Sequence, residues 1–178
     1  MPTVLLLTIM LATLTITAAH AAVPSVIKMP AIFSDHMVLQ RGCPVPIWGT
    51  APAGTAITVT FRTQRHSTTA DAEGRWMVRL ATLDAGGPDI LTVNDRTFAD
   101  VLVSEVWLGS GQSNMNYPMG NQFVAKHCPE FAPLQTMRHP GIRLAGGKGL
   151  VPLNGWKALE GEAFDYPAIM FTLGWRLQ

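Results

Sequence analysis

Val101-Leu102-Val103-Ser104-Glu105-Val106-Trp107-Leu108-Gly109-Ser110-Gly111-Gln112-Ser113-Asn114-Met115 is the stretch where the character of the chain changes. Val101 to Val103 and Val106 to Leu108 make an almost continuous apolar run, interrupted by Ser104 and Glu105. A strand buried on both faces, as in a parallel sheet covered by helices, reads this way. Gly109-Ser110-Gly111 ends the run and lets the backbone turn sharply and come close to a bound group. A serine at the carboxyl end of such a strand points into the crevice where open α/β sheets hold ligands. If a helical turn follows, its free N–H groups and dipole favour a developing oxyanion. Ser113 is therefore a candidate nucleophile. From spacing alone, an N-cap or turn serine is the alternative. The local pattern is not Gly-x-Ser-x-Gly, so the common hydrolase motif does not apply directly.

Upstream of this stretch, residues 22–100 read as a β domain. Val45 to Trp48 ends at Gly49. Ala56 to Phe61 alternates, with Ile57, Val59 and Phe61 on one face, and Arg75 to Leu80 alternates through Trp76, Val78 and Leu80. Pro52-Ala53-Gly54 and Asp71-Ala72-Glu73-Gly74 are turns, and Ala85-Gly86-Gly87-Pro88 breaks the chain before Ile90 to Val93. Asn94-Asp95 turns into Arg96 to Ala99. Short strands with frequent turns predict a small antiparallel β-sandwich. Residues 101–178 then read as the start of an α/β domain. Loop-like residues follow Met115, and Tyr166 to Leu177 carries Ile169, Met170, Leu173 and Leu177 at amphipathic helical spacing.

At the other end, Val4 to Ile16 is a short apolar run followed by Thr17-Ala18-Ala19-His20-Ala21. This predicts a secretory signal peptide over residues 1–21 and an exported protein, periplasmic or secreted; an uncleaved anchor is the alternative. The run is short for a membrane span, and no stable membrane insertion is expected after cleavage. Lys plus Arg number 13 and Asp plus Glu 12, for a net charge of +1. That balance gives no electrostatic case for nucleic acid or an anionic membrane surface. Cys43 and Cys128 are two cysteines without a framework, and whether they pair is open. No Cys/His cluster has ligand spacing, so neither a metal nor a cofactor is expected. The sequence leaves the oligomeric state open.

Gly111-Gln112-Ser113-Asn114-Met115, after Glu105-Val106-Trp107-Leu108, resembles the nucleophile block of the sialate O-acetylesterases, carbohydrate esterases of the SGNH (GDSL-like) hydrolase group. Ile32-Phe33-Ser34-Asp35-His36-Met37-Val38-Leu39-Gln40-Arg41 is similar to that family's opening signature. Val45-Pro46-Ile47-Trp48-Gly49 and Asp71-Ala72-Glu73-Gly74-Arg75-Trp76 follow in the family's order, and Ala163 to Leu177 resembles a later helix. The resemblance implies an SGNH-like α/β domain and an O-acetylated carbohydrate substrate. It makes Ser113 the nucleophile that forms an acetyl-enzyme. It places Gly111, Gln112 and Asn114 at the oxyanion or substrate, although Gln112 and Asn114 equally suit hydrogen bonds within the turn. Asn116 stands where an acidic residue is common in the family, a minor departure.

In the family a later Asp-x-x-His supplies the base, and the 178 residues contain no such block. The chain stops at Gln178 in mid-helix, so it reads as the N-terminal portion of such an enzyme, inactive alone. His36 reads as a structural hydrogen-bonder, His66 as solvated, and His127 and His139 as loop histidines with little claim on Ser113. Glu105 reads as a satisfied core carboxylate, and Trp48, Trp76 and Trp107 as core packing before sugar stacking. Two other functions stay open: a non-catalytic carbohydrate-binding β-sandwich, and an acetylxylan-type esterase.

Overall fold

The computed structural model describes residues 27–111, 113–121, 126–133, 138–146, 155–159 and 167–177. The expected signal peptide lies outside them. Nine strands and one α-helix are defined among the described residues: β1 (Val38–Gln40), β2 (Val45–Thr50), β3 (Ala56–Phe61), β4 (Gln64–Thr69), β5 (Arg75–Leu80), β6 (Gly86–Val93), β7 (Arg96–Ser104), β8 (His139–Ala145), β9 (Trp156–Leu159) and α1 (Ala168–Arg176). The fold is mostly β. A five-stranded sheet runs β1-β7-β6-β3-β4, while β2 pairs with β5 and β8 with β9.

The alternation read from sequence has its physical origin in one shared core. Ile57, Val59 and Phe61 of β3, Trp76, Val78 and Leu80 of β5, and Leu91 and Val93 of β6 all point into it. Ile47, Ile57, Val59, Phe61, Leu80, Leu91 and Val93 are fully buried. Each such side chain contributes about 1.5–3 kcal/mol relative to exposure. The turns close as their residues dictate. Gly74 has φ +76°, and a Cβ there would meet the Ala51 carbonyl at 2.6 Å. Asn94 has φ 53°; its side chain accepts from Thr58 N–H at 2.7 Å and donates to the Ala56 carbonyl at 3.0 Å.

Three expectations need correction. The large sheet is not wholly antiparallel, because β1 pairs parallel with β7. The opening signature thus comes back along the strand that leads toward the serine. The Gly86-Gly87 break is part of β6, which the glycines let pass close to β7: a Cβ on Gly87 would meet the Val101 carbonyl at 2.7 Å. Most consequential, the apolar run does not form one continuous strand. β7 ends at Ser104, and Val106, Trp107 and Leu108 are exposed, Leu108 at 95%. The ladder stops where its partners stop: Gln40 ends β1 opposite Ser104, and Gly86 begins β6 opposite Val103.

A second, smaller core lies past Ser104. Met119, Ile142, Leu159, Ala168 and Phe171 bury together, with Leu144 and Trp175 packed against them. Pro140 and Gly141, loop-like by sequence, lie within β8, which pairs antiparallel with β9. The helix is α1, close to the expected span. Residue 156 joins the two cores: its indole packs on the first, its Nε1–H donates to the Ile32 carbonyl at 2.8 Å, and its backbone N–H donates to Ser34 Oγ at 2.8 Å.

Candidate active site at Ser113

Ser113 opens a short 3-10 helix, Ser113–Asn116, and is exposed. The segment before it leaves β7 through a polar clasp. Glu105 accepts from Arg41 Nε at 2.6 Å and from Gln40 Nε2 at 2.9 Å, and Gln40 Oε1 accepts from Val106 N–H at 2.9 Å. Glu105 is thus a solvated carboxylate and not a core one, in correction of the sequence reading. The hydrogen bonds from Gln40 and Arg41 hold its carboxyl below the usual carboxylate range. The clasp fixes the direction in which the chain departs toward the glycines.

The glycines are there because side chains come close. A Cβ on Gly109 would collide with the Met170 side chain of α1, and one on Gly111 would meet Met115 Cγ at 2.5 Å. Gly111 is exposed and stands two residues before Ser113 in the sequence. Gln112 lies outside the described residues, and Asn114 is described only as part of the 3-10 turn. The turn leans on α1. Ala168 N–H donates to the Tyr117 carbonyl at 2.7 Å, and Pro118 bridges Pro167.

The scaffold beneath is held by a partly buried charge cluster that no single sequence motif reveals as a unit. His36 Nδ1 lies 2.6 Å from Asp100 Oδ2, and Arg143 Nη2 donates to Asp100 Oδ1 at 3.1 Å and Oδ2 at 2.9 Å. Arg143 also donates to the Pro140 carbonyl. Partial burial opposes the ionised form of Asp100, but the His36 hydrogen bond and the Arg143 guanidinium outweigh it and hold the carboxyl below its usual range. The cluster ties the opening signature to β8, β8 packs on α1, and α1 carries the serine turn. His36 is a structural hydrogen-bonder, as read. No sequence signal pairs Asp100 with Arg143, because the contact is tertiary.

Neither His139 nor His66 has a described hydrogen bond to the serine. His139 is buried edge-on to Phe171, with ring centroids 5.3 Å apart, and its Nε2 has no partner among the described residues. His66 sits on β4 with Nε2 3.2 Å from Gln64 Oε1, and His127 is exposed. Among the described residues, no group of three His, Cys, Asp or Glu side chains is arranged to hold a metal. The thiols of Cys43 and Cys128 are free. Trp76 is core, Trp48 is half-buried, and Trp107 is 58% exposed, so the core reading fails for Trp107. No described helix is long and apolar enough to cross a membrane.

No protein-family model matches the chain. Sialate O-acetylesterase from Mus musculus is 30% identical over 127 residues, covering 62% of this chain and 24% of the mouse protein. The Homo sapiens enzyme is 34% identical, again over 62% of this chain and 24% of its own length. The crystal structure of a carbohydrate acetylesterase from Xanthomonas citri superposes with a TM-score of 0.72 at 29% identity, covering 85% of this chain and 37% of that one. The chain spans about a quarter of the length of the curated relatives it matches. Sequence blocks, fold and these relatives agree: over its matched part the chain is similar to the sialate O-acetylesterases in sequence and to a carbohydrate acetylesterase in fold.

Proposed function

We propose that this chain carries the nucleophile of a carbohydrate O-acetylesterase, with O-acetylated sialic acid or a related glycan as substrate. Ser113 Oγ attacks the acetyl carbonyl, its proton passes to a base, and the sugar hydroxyl leaves. Water then hydrolyses the acetyl-enzyme and releases acetate. The Ser113 backbone N–H, at the start of its turn, is one oxyanion donor, and Gly111, Gln112 and Asn114 border the reacting group. The observation that carries this reading is an exposed serine opening a helical turn two residues after a glycine that no side chain can replace without moving Met115.

The family pattern places the base in an Asp-x-x-His block, which none of the 178 residues form. Turnover by this chemistry needs such a base beside Ser113. Residues 22–100 then act as the accessory β domain and 101–178 as the beginning of an SGNH-like α/β domain, in which Val106 to Leu108 are covered. The apolar segment over Val4 to Ile16 supports export.

The test is acetate release from O-acetylated sialic acid and from acetylated xylan. It is run on the chain alone and on a fusion to the rest of a matched relative. The reading expects activity only in the fusion, and a fall of several orders of magnitude on Ser113→Ala. A fusion whose activity survives that substitution refutes it.

A further inference from the structure

A second candidate site lies on the outer face of the β2–β5 pair, away from the serine turn. The extended residues before β1 add to this pair: Lys28 N–H donates to the Thr50 carbonyl and Thr50 N–H to the Lys28 carbonyl, both at 2.8 Å. Thr50 is in turn opposite Arg75, and Trp48 opposite Met77. Strand alternation sends Gly49 and Trp76 inward and leaves these partners outside. The face therefore presents two adjacent rows. One is polar, Lys28-Thr50-Arg75; the other is an apolar platform of Trp48 and Met77, with Met77 48% exposed. Met29 and Pro30 also line the open cleft over these rows, which measures about 640 Å³.

The platform is built and not incidental. Phe33 packs edge-on to Trp48, with centroids 4.7 Å apart and planes at 79°, which fixes the indole from behind. Arg75 is held at its row by Asp71 at 3.2 Å and Glu73 at 3.1 Å. Asp71 is itself locked by the turn, accepting backbone N–H groups of Arg75 at 2.7 Å and Glu73 at 3.1 Å. Trp76 is also among the residues lining the cleft, and its indole N–H is buried without a partner among the described residues.

We propose that this cleft binds a neutral, hydroxyl-rich oligosaccharide. A sugar ring has a flat face of C–H groups that stacks on an indole, and a rim of hydroxyls that needs donors and acceptors beside it. The two rows supply both at the spacing of neighbouring residues on one sheet face. The charged members make the hydroxyl contacts stronger than neutral ones would be. Opposite charges on Asp71, Glu73, Arg75 and Lys28 offset one another, so the face has no field to select an acidic polymer. A single apolar row is too narrow for an amphipathic peptide helix. The proposal stands independently of the chemistry at Ser113: it gives the chain a means to hold a polysaccharide, whether or not the chain hydrolyses an ester.

The test is titration calorimetry and tryptophan fluorescence on the full chain with xylohexaose, cellohexaose and sialyllactose. Saturable binding of a neutral hexasaccharide is expected, weakened about tenfold by Trp48→Ala and severalfold by Met77→Gln. Lys28→Gln lowers affinity, and Arg65→Gln on β4 leaves it unchanged. If Trp48→Ala fails to fold, the exposed Met77 and Lys28 variants decide. Three results overturn the proposal: no binding of either neutral sugar, preference for sialyllactose, or affinity that ignores Trp48, Met77 and Lys28 but is lost in Ser113→Ala.

Discussion

Asp100→Asn isolates the charge that ties the two cores together. Asp100 has φ 54°, a conformation that asparagine accepts, so the substitution leaves the backbone unstrained and removes the negative charge together with one of the two acceptor oxygens. Its partner Arg143 has a side chain only 6% exposed, and its Nε has no hydrogen-bond partner among the described residues. Without the carboxylate, that guanidinium keeps little besides the Pro140 carbonyl. Breaking a fully buried pair costs about 3–5 kcal/mol, and an exposed pair about 0–1. Asp100 is 26% exposed, which places the cost between these limits, at about 2 kcal/mol. Urea unfolding at pH 7, with an unchanged m-value, measures it. Asp100→Ala should cost about 1 kcal/mol more, from alanine in the left-handed region. Arg143→Met in the Asp100→Asn background should recover part of the loss, because it removes the stranded charge. The acid limb gives the sign. The folded carboxyl is lowered from its usual range, so its stabilisation is complete above about pH 4 and is lost as pH falls through the folded value. The gap between wild type and Asp100→Asn therefore closes below about pH 4. A loss under about 0.5 kcal/mol at pH 7, or a gap that widens in acid, refutes the account.

The first core should respond strongly to truncation: Leu91→Ala, at a fully buried position, is expected to cost about 2–5 kcal/mol in the same urea assay. Leu108→Asp should change stability by less than about 0.5 kcal/mol, since that side chain is 95% exposed; a loss above about 1 kcal/mol would mean that something covers it. Both thiols should titrate with a thiol reagent in denaturant without prior reduction, and dithiothreitol should leave the thermal midpoint unchanged; a reductant-sensitive midpoint would show a bond between Cys43 and Cys128.

The alternating segments were legible because alternation is itself the signature of one buried face. Ile57-Val59-Phe61 and Trp76-Val78-Leu80 could be assigned to a core without knowing their neighbours, and both lie in it. The serine was legible as a candidate because glycines and a strand precede it, and it is exposed in a turn. What sequence could not supply was partnership. Val106 to Leu108 has the composition of a buried strand, but a strand needs neighbours, and β1 and β6 end opposite Ser104 and Val103. Glu105 looked like a core carboxylate for the same reason, and is solvated because Gln40 and Arg41 meet it at the surface. The β8–β9 hairpin was missed because Pro140 and Gly141 read as loop residues, and its register shift between His139 and Arg143 breaks the alternation that would have revealed it.

The same absence of partnership explains why the opening signature matters to a serine far along the chain. Met37 and Leu39 are buried beside β7, and the parallel ladder of β1 ends where the chain turns out through the Gln40-Arg41-Glu105 clasp. Two residues earlier in that signature, His36 has φ 64°, which turns its ring onto Asp100. Asp100 then reaches Arg143 of β8, and β8 supports the helix on which the Ser113 turn rests. A side chain at position 36 that cannot hydrogen-bond should therefore loosen the serine turn without touching it. His36→Gln, which keeps a donor, should retain more of the Asp100 interaction than His36→Leu. Hydrogen exchange at Ser113 to Asn116 reads the difference directly. Equal protection in the two variants would place the serine turn on the clasp alone and take the charge cluster out of its support.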